Sequence, residues 1–167
     1  TLNTPYDSGV IMCRDREALV NALHAAGAYI TYSEHRDGML HTPEMSRRGR
    51  VFELWAALRY LGRSGLDEMV HGLHLRARQF ARELERQDFE ILNDVVFNQV
   101  LVACGSDQLT AATIEAVQQS GECWVGGTRW RDRHVIRVSV CSWATTEADV
   151  SRSVKTFVEA RRKAANG

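Results

Sequence analysis

Hydrophobic positions form one short run near the start of the chain, helical stripes in its middle and alternating segments towards its end. Residues 9–13, Gly-Val-Ile-Met-Cys, make an apolar run of the length of a buried strand. Asp15 suits a helix N-cap, with Leu19, Ala22, Leu23 and Ala26 on one face and Gly27 as the stop. Residues 28–41 begin strand-like and turn polar, and Asp37-Gly38 signals a turn. Thr42-Pro43-Glu44 predicts a helix start: Thr caps, Pro fits the first helical position and Glu suits the positive end of the dipole. Val51, Leu54, Trp55, Leu58 and Leu61 then repeat at helical spacing as far as Gly62. A second helix starts near Ser64 or Gly65. Its stripe is Leu66, Met69, Val70, Leu73, Ala77, Phe80 and Leu84, and Arg76, Arg82, Glu83 and Arg86 form its solvated face.

The rhythm changes after Leu84. Phe89 to Asn93 and Val95 to Cys104 predict two adjacent antiparallel strands. Residues 107–120 predict a helix ending at Gly121, and residues 122–130 and 134–141 two more strands. Thr145 or Thr146 caps a last helix, with Val150, Val154, Phe157 and Val158 inward. The order strand, strand, helix, strand, strand, helix predicts an antiparallel sheet with its helices on one face.

Composition narrows the class of protein. A length of 167 residues fits one domain, or a domain with a remnant of another, and 44% apolar with 25% charged residues is ordinary for a soluble globular chain. A net charge of zero argues against a nucleic-acid or membrane surface. No apolar run approaches the roughly 20 residues that span a bilayer. The opening TLNTPYDSG has neither the basic start nor the apolar core of a signal peptide. Cys13, Cys104, Cys123 and Cys141 form no C-x-x-C pair, and buried free thiols in a reducing compartment are the expectation. His71 and His74 are three apart on one helix. With no Cys or carboxylate partner at matching spacing they read as surface histidines, and no metal is expected. Lys155 and Lys163, the two lysines, both fall in the last helix, where neither suits a desolvated nucleophile.

Three features carry possible chemistry. Val135, Arg137, Ser139 and Cys141 share one face of their strand, and Ile136, Val138 and Val140 the other. An arginine in such a strand calls for an anionic partner. An internal Asp or Glu is the plainer choice; a substrate carboxylate, held by two parallel hydrogen bonds, is the other. Arg47, Arg48 and Arg50 cluster where positive charge would oppose a helix dipole. They imply either a compensating anion, carboxylate or partner subunit, or a solvated turn. Gly126-Gly127 permits close backbone approach, and a strand bulge explains the pair equally well.

Three segments resemble one family in order. Thr1 to Gly9, TLNTPYDSG, is similar to the stretch that follows the cofactor-binding His-Lys pair of pyridoxal-phosphate-dependent decarboxylases of the aromatic-amino-acid and glutamate group. Met45 to Arg59, MSRRGRVFELWAALR, resembles that family's Gly-Arg-Arg-x-Arg…Trp helix, with Arg47, Arg48, Arg50 and Trp55 in register and Ser46 in place of Gly. His134 to Val154 resembles its terminal Leu-Arg-Phe-x-Ile-Cys-Ser strand and following helix, with Arg137, Cys141 and Ser142 matching. The resemblance implies an α+β C-terminal small domain of a type I pyridoxal-phosphate (aminotransferase-like) fold, with a remnant of the α/β large domain. Residues 1–45 would close the large cofactor-binding domain and residues 46–167 form the small domain. It further implies a cytoplasmic homodimer, pyridoxal 5'-phosphate as cofactor and an L-amino acid, aromatic or otherwise bulky, as substrate for decarboxylation. The family's Schiff-base lysine would stand just before Thr1, so Thr1 and Asn3 become candidates for contacting the cofactor. Arg137 becomes the candidate for the substrate's α-carboxylate, with Arg47 as a second substrate-binding candidate.

One departure bears on the outcome of the reaction. The family's mobile loop carries a tyrosine that protonates the intermediate carbanion. Aligned back from Arg47, its Asp-Tyr pair falls on Asp37-Gly38, and the segment between Tyr29 and Arg47 is shortened. Either Tyr32 or His35 substitutes as catalytic acid, or both are ordinary loop residues. Transamination or aldehyde formation on the same cofactor is therefore the alternative outcome, and a free-standing α+β regulatory binding module the alternative class.

Overall fold

The computed structural model describes residue 2 and residues 4–25, 27–28, 30–32 and 34–166. The chain divides into two compact units, one spanning Thr4–Arg59 and the other running from Tyr60 onward.

In the first unit, helix α1 spans Arg16–Leu23. Asp15 caps it as expected, its carboxylate accepting the Ala18 N–H at 3.0 Å. The helix ends at Leu23, before Gly27, and none of its residues is fully buried. Residues 9–13 form no strand: Val10, Ile11 and Met12 are 64, 78 and 93% exposed. A strand needs a neighbour for its backbone groups, and this run has none among the described residues. Asp37-Gly38 does turn the chain, opening a 3₁₀ helix over Gly38–His41. Thr42-Pro43-Glu44 does not start a helix. The Thr42 hydroxyl donates to the Glu44 carbonyl at 2.6 Å, and residues 42–50 stay irregular.

Helix α2 spans Val51–Glu85 and is broken at Gly62, whose φ of 62° and ψ of −171° are outside helical space. Glycine reaches a positive φ without a Cβ penalty, which is why the interruption falls there. The stripe expected before this break is not a core stripe. Val51, Trp55 and Leu58 are exposed, with Phe52 beside them. Beyond the break, Leu73, Ala77, Phe80 and Leu84 are buried, as the periodicity predicts, and Ala81 with them, whereas Val70 is exposed.

The second unit holds the sheet. Strands β1 (Glu90–Ile91), β2 (Gln99–Ala103), β3 (Gly126–Trp130) and β4 (Arg133–Ser139) form one antiparallel sheet in the order β1-β2-β4-β3. Helix α3 spans Asp107–Ser120, capped by the Ser106 hydroxyl on the Leu109 N–H and ended by Gly121 at φ 76°. Helix α4 spans Glu147–Asn166. Thr146 and Asp149 cap it reciprocally. The Asp149 N–H donates to the Thr146 hydroxyl at 3.2 Å, and the Thr146 N–H donates to the Asp149 carboxylate at 2.8 Å.

The helices cover one face of the sheet. Val100, Val102, Ile136, Val138 and Val140 point into a core shared with Phe80, Leu84, Ile114, Val117, Val154 and Phe157. Phe157 is the hub, with Phe89 edge-on at 6.1 Å and Phe80 tilted at 6.4 Å. Full burial of such a side chain contributes roughly 1.5–3 kcal/mol. Burial of the cysteines is mixed. Cys104 is buried and Cys123 half-buried, but Cys13 and Cys141 are exposed, because the first lies in the strandless run and the second beyond the end of β4.

Candidate functional site

The outward face of the sheet is set by the ladder. Leu101 and Gly126 both pair with Arg137, from either side. Paired residues of antiparallel strands project to the same face, so the Arg137 side chain rises between a leucine and a position with no side chain. Gln99 pairs with Ser139 in the next row, and both are exposed. Val135 lies on this face by alternation yet is fully buried.

Arg137 is exposed, and its guanidinium has no hydrogen-bond or ion-pair partner among the described residues. Its neighbours differ. Arg133, four residues earlier on the same face, grips Glu90 with two hydrogen bonds of 2.7 and 2.6 Å. Arg76 holds Glu147 at 2.8 Å, and Arg152 holds Glu122 at 3.0 Å. Glu90 is the one carboxylate on the outward face among the described strand residues, and Arg133 occupies it in bidentate fashion. The internal acidic partner for Arg137 is thus absent among the described residues, and its fork remains available for a planar anion.

The arginine cluster before α2 is arranged differently. Arg47 pairs with Glu44 at 3.2 Å, Arg48 with Glu53 at 3.9 Å, and Arg50 with Asp7. The hydrogen bond from Arg50 holds the Asp7 carboxyl below its usual range. The three arginines precede the first turn of α2, whose positive end they face, and internal carboxylates compensate them. Tyr32 is tied back to the end of α1. Its hydroxyl donates to the Ala25 carbonyl and accepts the Ala25 N–H at 3.2 Å, and its ring stacks on His24 at 4.7 Å. His35 is exposed. Thr1 and Asn3 lie outside the described residues. Burial pushes the Cys104 and Cys123 thiols up, away from nucleophilic character. His74 binds the Phe97 carbonyl through Nδ1 at 3.1 Å.

The chain matches the profile of the pyridoxal-dependent decarboxylase conserved domain over residues 2–103. It belongs to that family. Aromatic-L-amino-acid decarboxylase of Rattus norvegicus is 27% identical over 154 residues, covering 87% of this chain and 32% of the rat protein. Among solved structures, Oryza sativa TDC with PLP and tryptamine superposes with a TM-score of 0.82 at 21% identity, over 90% of this chain and 34% of that one. Rhodiola rosea 4-hydroxyphenylacetaldehyde synthase gives a TM-score of 0.75 at 25% identity, over 89% of this chain and 32% of that one. The chain thus spans about a third of the length of the relatives it matches. The fold is the small α+β part of a type I pyridoxal-phosphate enzyme, as the resemblance implied.

The family's cofactor is pyridoxal 5'-phosphate. Lys155 and Lys163 do not fit it as an anchor, since both stand exposed on α4. A surface groove of about 450 Å³ contains Lys155 with Glu83, Arg86, Glu159 and Arg162, but no residue of the sheet lines it. Arg137, by contrast, offers a guanidinium fork with no carboxylate partner among the described residues. Leu101 escapes a reading of the sequence because its place beside Arg137 depends on the strand register.

Proposed function

We propose that this chain forms the small domain, and part of the substrate site, of a pyridoxal-phosphate enzyme that releases carbon dioxide from an L-amino acid, aromatic or otherwise bulky. Residues 1–45 close the large cofactor-binding domain and residues 46–167 make up the small domain. The observation that carries this reading is Arg137: a guanidinium fork on an exposed sheet face, without a counter-charge among the described residues. Arg137 holds the α-carboxylate, and Arg47, where it is released from Glu44, is a second anchor. When bound, pyridoxal 5'-phosphate supplies the electron sink. The protein's own contribution is to bind and orient the amino acid and to deliver a proton. Tyr32 and His35 are the candidate donors, and Thr1 and Asn3 the candidate cofactor contacts. The enzyme works as a cytoplasmic homodimer. The exposed Val51, Phe52 and Trp55 suit burial against a partner, and free thiols suit a reducing compartment.

A second outcome on the same cofactor is favoured by one position. Gly38 stands where the family's proton-donating tyrosine is expected, and the Rhodiola rosea relative is named an aldehyde synthase. Incubating the intact enzyme with a panel of aromatic L-amino acids separates the outcomes. Amine with stoichiometric carbon dioxide supports decarboxylation; aldehyde supports the second outcome, with the amino group either left on the cofactor or released as ammonia while dioxygen is reduced to hydrogen peroxide. Release of neither from any of them contradicts both.

A further inference from the structure

Two adjacent glycines in β3 stand in opposite situations. A Cβ on Gly127 would come within 2.8 Å of His134 Nε2 and 3.1 Å of Ile114 Cδ1, so packing requires glycine there. A Cβ on Gly126 would meet nothing within 4 Å, and its φ lies outside the left-handed region that favours glycine. Neither space nor backbone conformation accounts for glycine at 126. Glycine inside a strand weakens it, both through chain entropy and through the missing side chain. Where the fold gives no reason, the remaining one is close approach by another molecule. The ladder locates that approach, because Gly126 pairs with Arg137 and a side chain there would project beside the guanidinium. On the other flank Leu101 already fills the equivalent place.

We infer that Gly126 is a specificity-determining position, keeping open the flank of Arg137 through which a substrate carboxylate reaches the guanidinium. The inference rests on the proposed role of Arg137 as carboxylate anchor. It adds that access is one-sided: Leu101 walls one flank and the bare backbone of Gly126 leaves the other free. A β-branched residue at 126 would suit the strand while closing the slot. Gly126 is a positioning element and takes no part in bond making.

The test uses 3-phenylpropanoate as probe, which carries a carboxylate but no amine, with 3-phenylpropanol as its uncharged counterpart. Binding of each to the intact enzyme is measured by calorimetry for wild type, Gly126→Ala, Gly126→Val and Arg137→Lys, together with the melting temperature. The expected result is weaker carboxylate binding by about tenfold or more in Gly126→Val and in Arg137→Lys. Gly126→Ala should fall between wild type and Gly126→Val. Binding of the alcohol and the melting temperature should hold in all variants. If Arg137→Lys loses carboxylate binding while both Gly126 variants keep it, the inference fails and the reading of Arg137 stands. If Arg137→Lys keeps it, that reading fails and the inference falls with it. A lowered melting temperature in both Gly126 variants would overturn the inference by giving the glycine a role in folding.

Discussion

The guanidinium of Arg161 lies 3.9 Å above the ring of Phe89 and donates to the Asp88 and Gln87 carbonyls at 2.8 and 2.6 Å. Phe89 is buried against Phe157, and Asp88 has a positive φ of 58°. One α4 side chain therefore locks the turn that takes the chain from α2 into β1. Arg161→Ala removes the cation–ring contact, worth about 0.5–1 kcal/mol, and two exposed hydrogen bonds, worth roughly 0.5–1 kcal/mol each. Urea unfolding should show a loss of about 1–3 kcal/mol. Arg161→Lys should recover only part of it, since an ammonium cannot reproduce the fork. An unchanged midpoint in Arg161→Ala would show that the turn holds without it.

Gly127 and Gly126 make a paired stability prediction. Gly127→Ala forces the His134 ring and Ile114 to shift and should cost about 1–3 kcal/mol. Gly126→Ala should be neutral or slightly stabilising, since its Cβ enters open space. Thermal melts of the two variants should separate clearly, with Gly127→Ala the lower.

The cap of α4 gives a pH dependence. The Thr146 hydroxyl, then its backbone N–H and Arg152, hold the Asp149 carboxyl at about 2, below its ordinary 3.8. A depressed carboxylate stabilises the fold fully above its unfolded value. The contribution fades as pH falls below about 4 and is gone once pH passes the folded value near 2. Asp149→Asn should flatten the acid limb of a stability-against-pH curve in that window. Thr146→Ala, which removes the cap hydroxyl, should cost about 1 kcal/mol at neutral pH. An acid limb unchanged in Asp149→Asn would assign the acid sensitivity to other carboxylates.

The loop that carries Tyr32 and His35 should govern the product. The Tyr32 hydroxyl proton is engaged by the Ala25 carbonyl, so Tyr32→Phe should first loosen the loop. His35 is exposed on the same loop, and an imidazole is by type a competent general acid. Product analysis with His35→Asn and Tyr32→Phe should show a shift from amine towards aldehyde in His35→Asn and a smaller one in Tyr32→Phe. Wild-type product ratios in both would place the donor elsewhere.

Local signals marked the second unit well. Ser106 and Gly121 bracket α3, Thr146 opens α4, and the alternation in β4 separates the core face from Arg137. Each of these is written in neighbouring residues. In the first unit local signals conflict with contacts. Val10 to Met12 look like a strand, but no strand partner exists for them among the described residues. Thr42 looks like a cap, but its hydroxyl is spent on the Glu44 carbonyl. Val51, Trp55 and Leu58 look like a core stripe and face outward. At the candidate site, the sequence identifies Arg137 but leaves its partner undecided. That Glu90 belongs to Arg133, 43 residues away, is a tertiary fact with no local trace.

The most direct measurement is substrate affinity in the intact enzyme with Arg137→Lys, read beside cofactor absorbance and melting temperature. Losing a bidentate partner of a bound carboxylate typically costs about 2–5 kcal/mol. KM should rise steeply, with cofactor absorbance and melting temperature unchanged. A variant that melts lower while binding substrate as wild type does would contradict this, and would make Arg137 a residue of the fold.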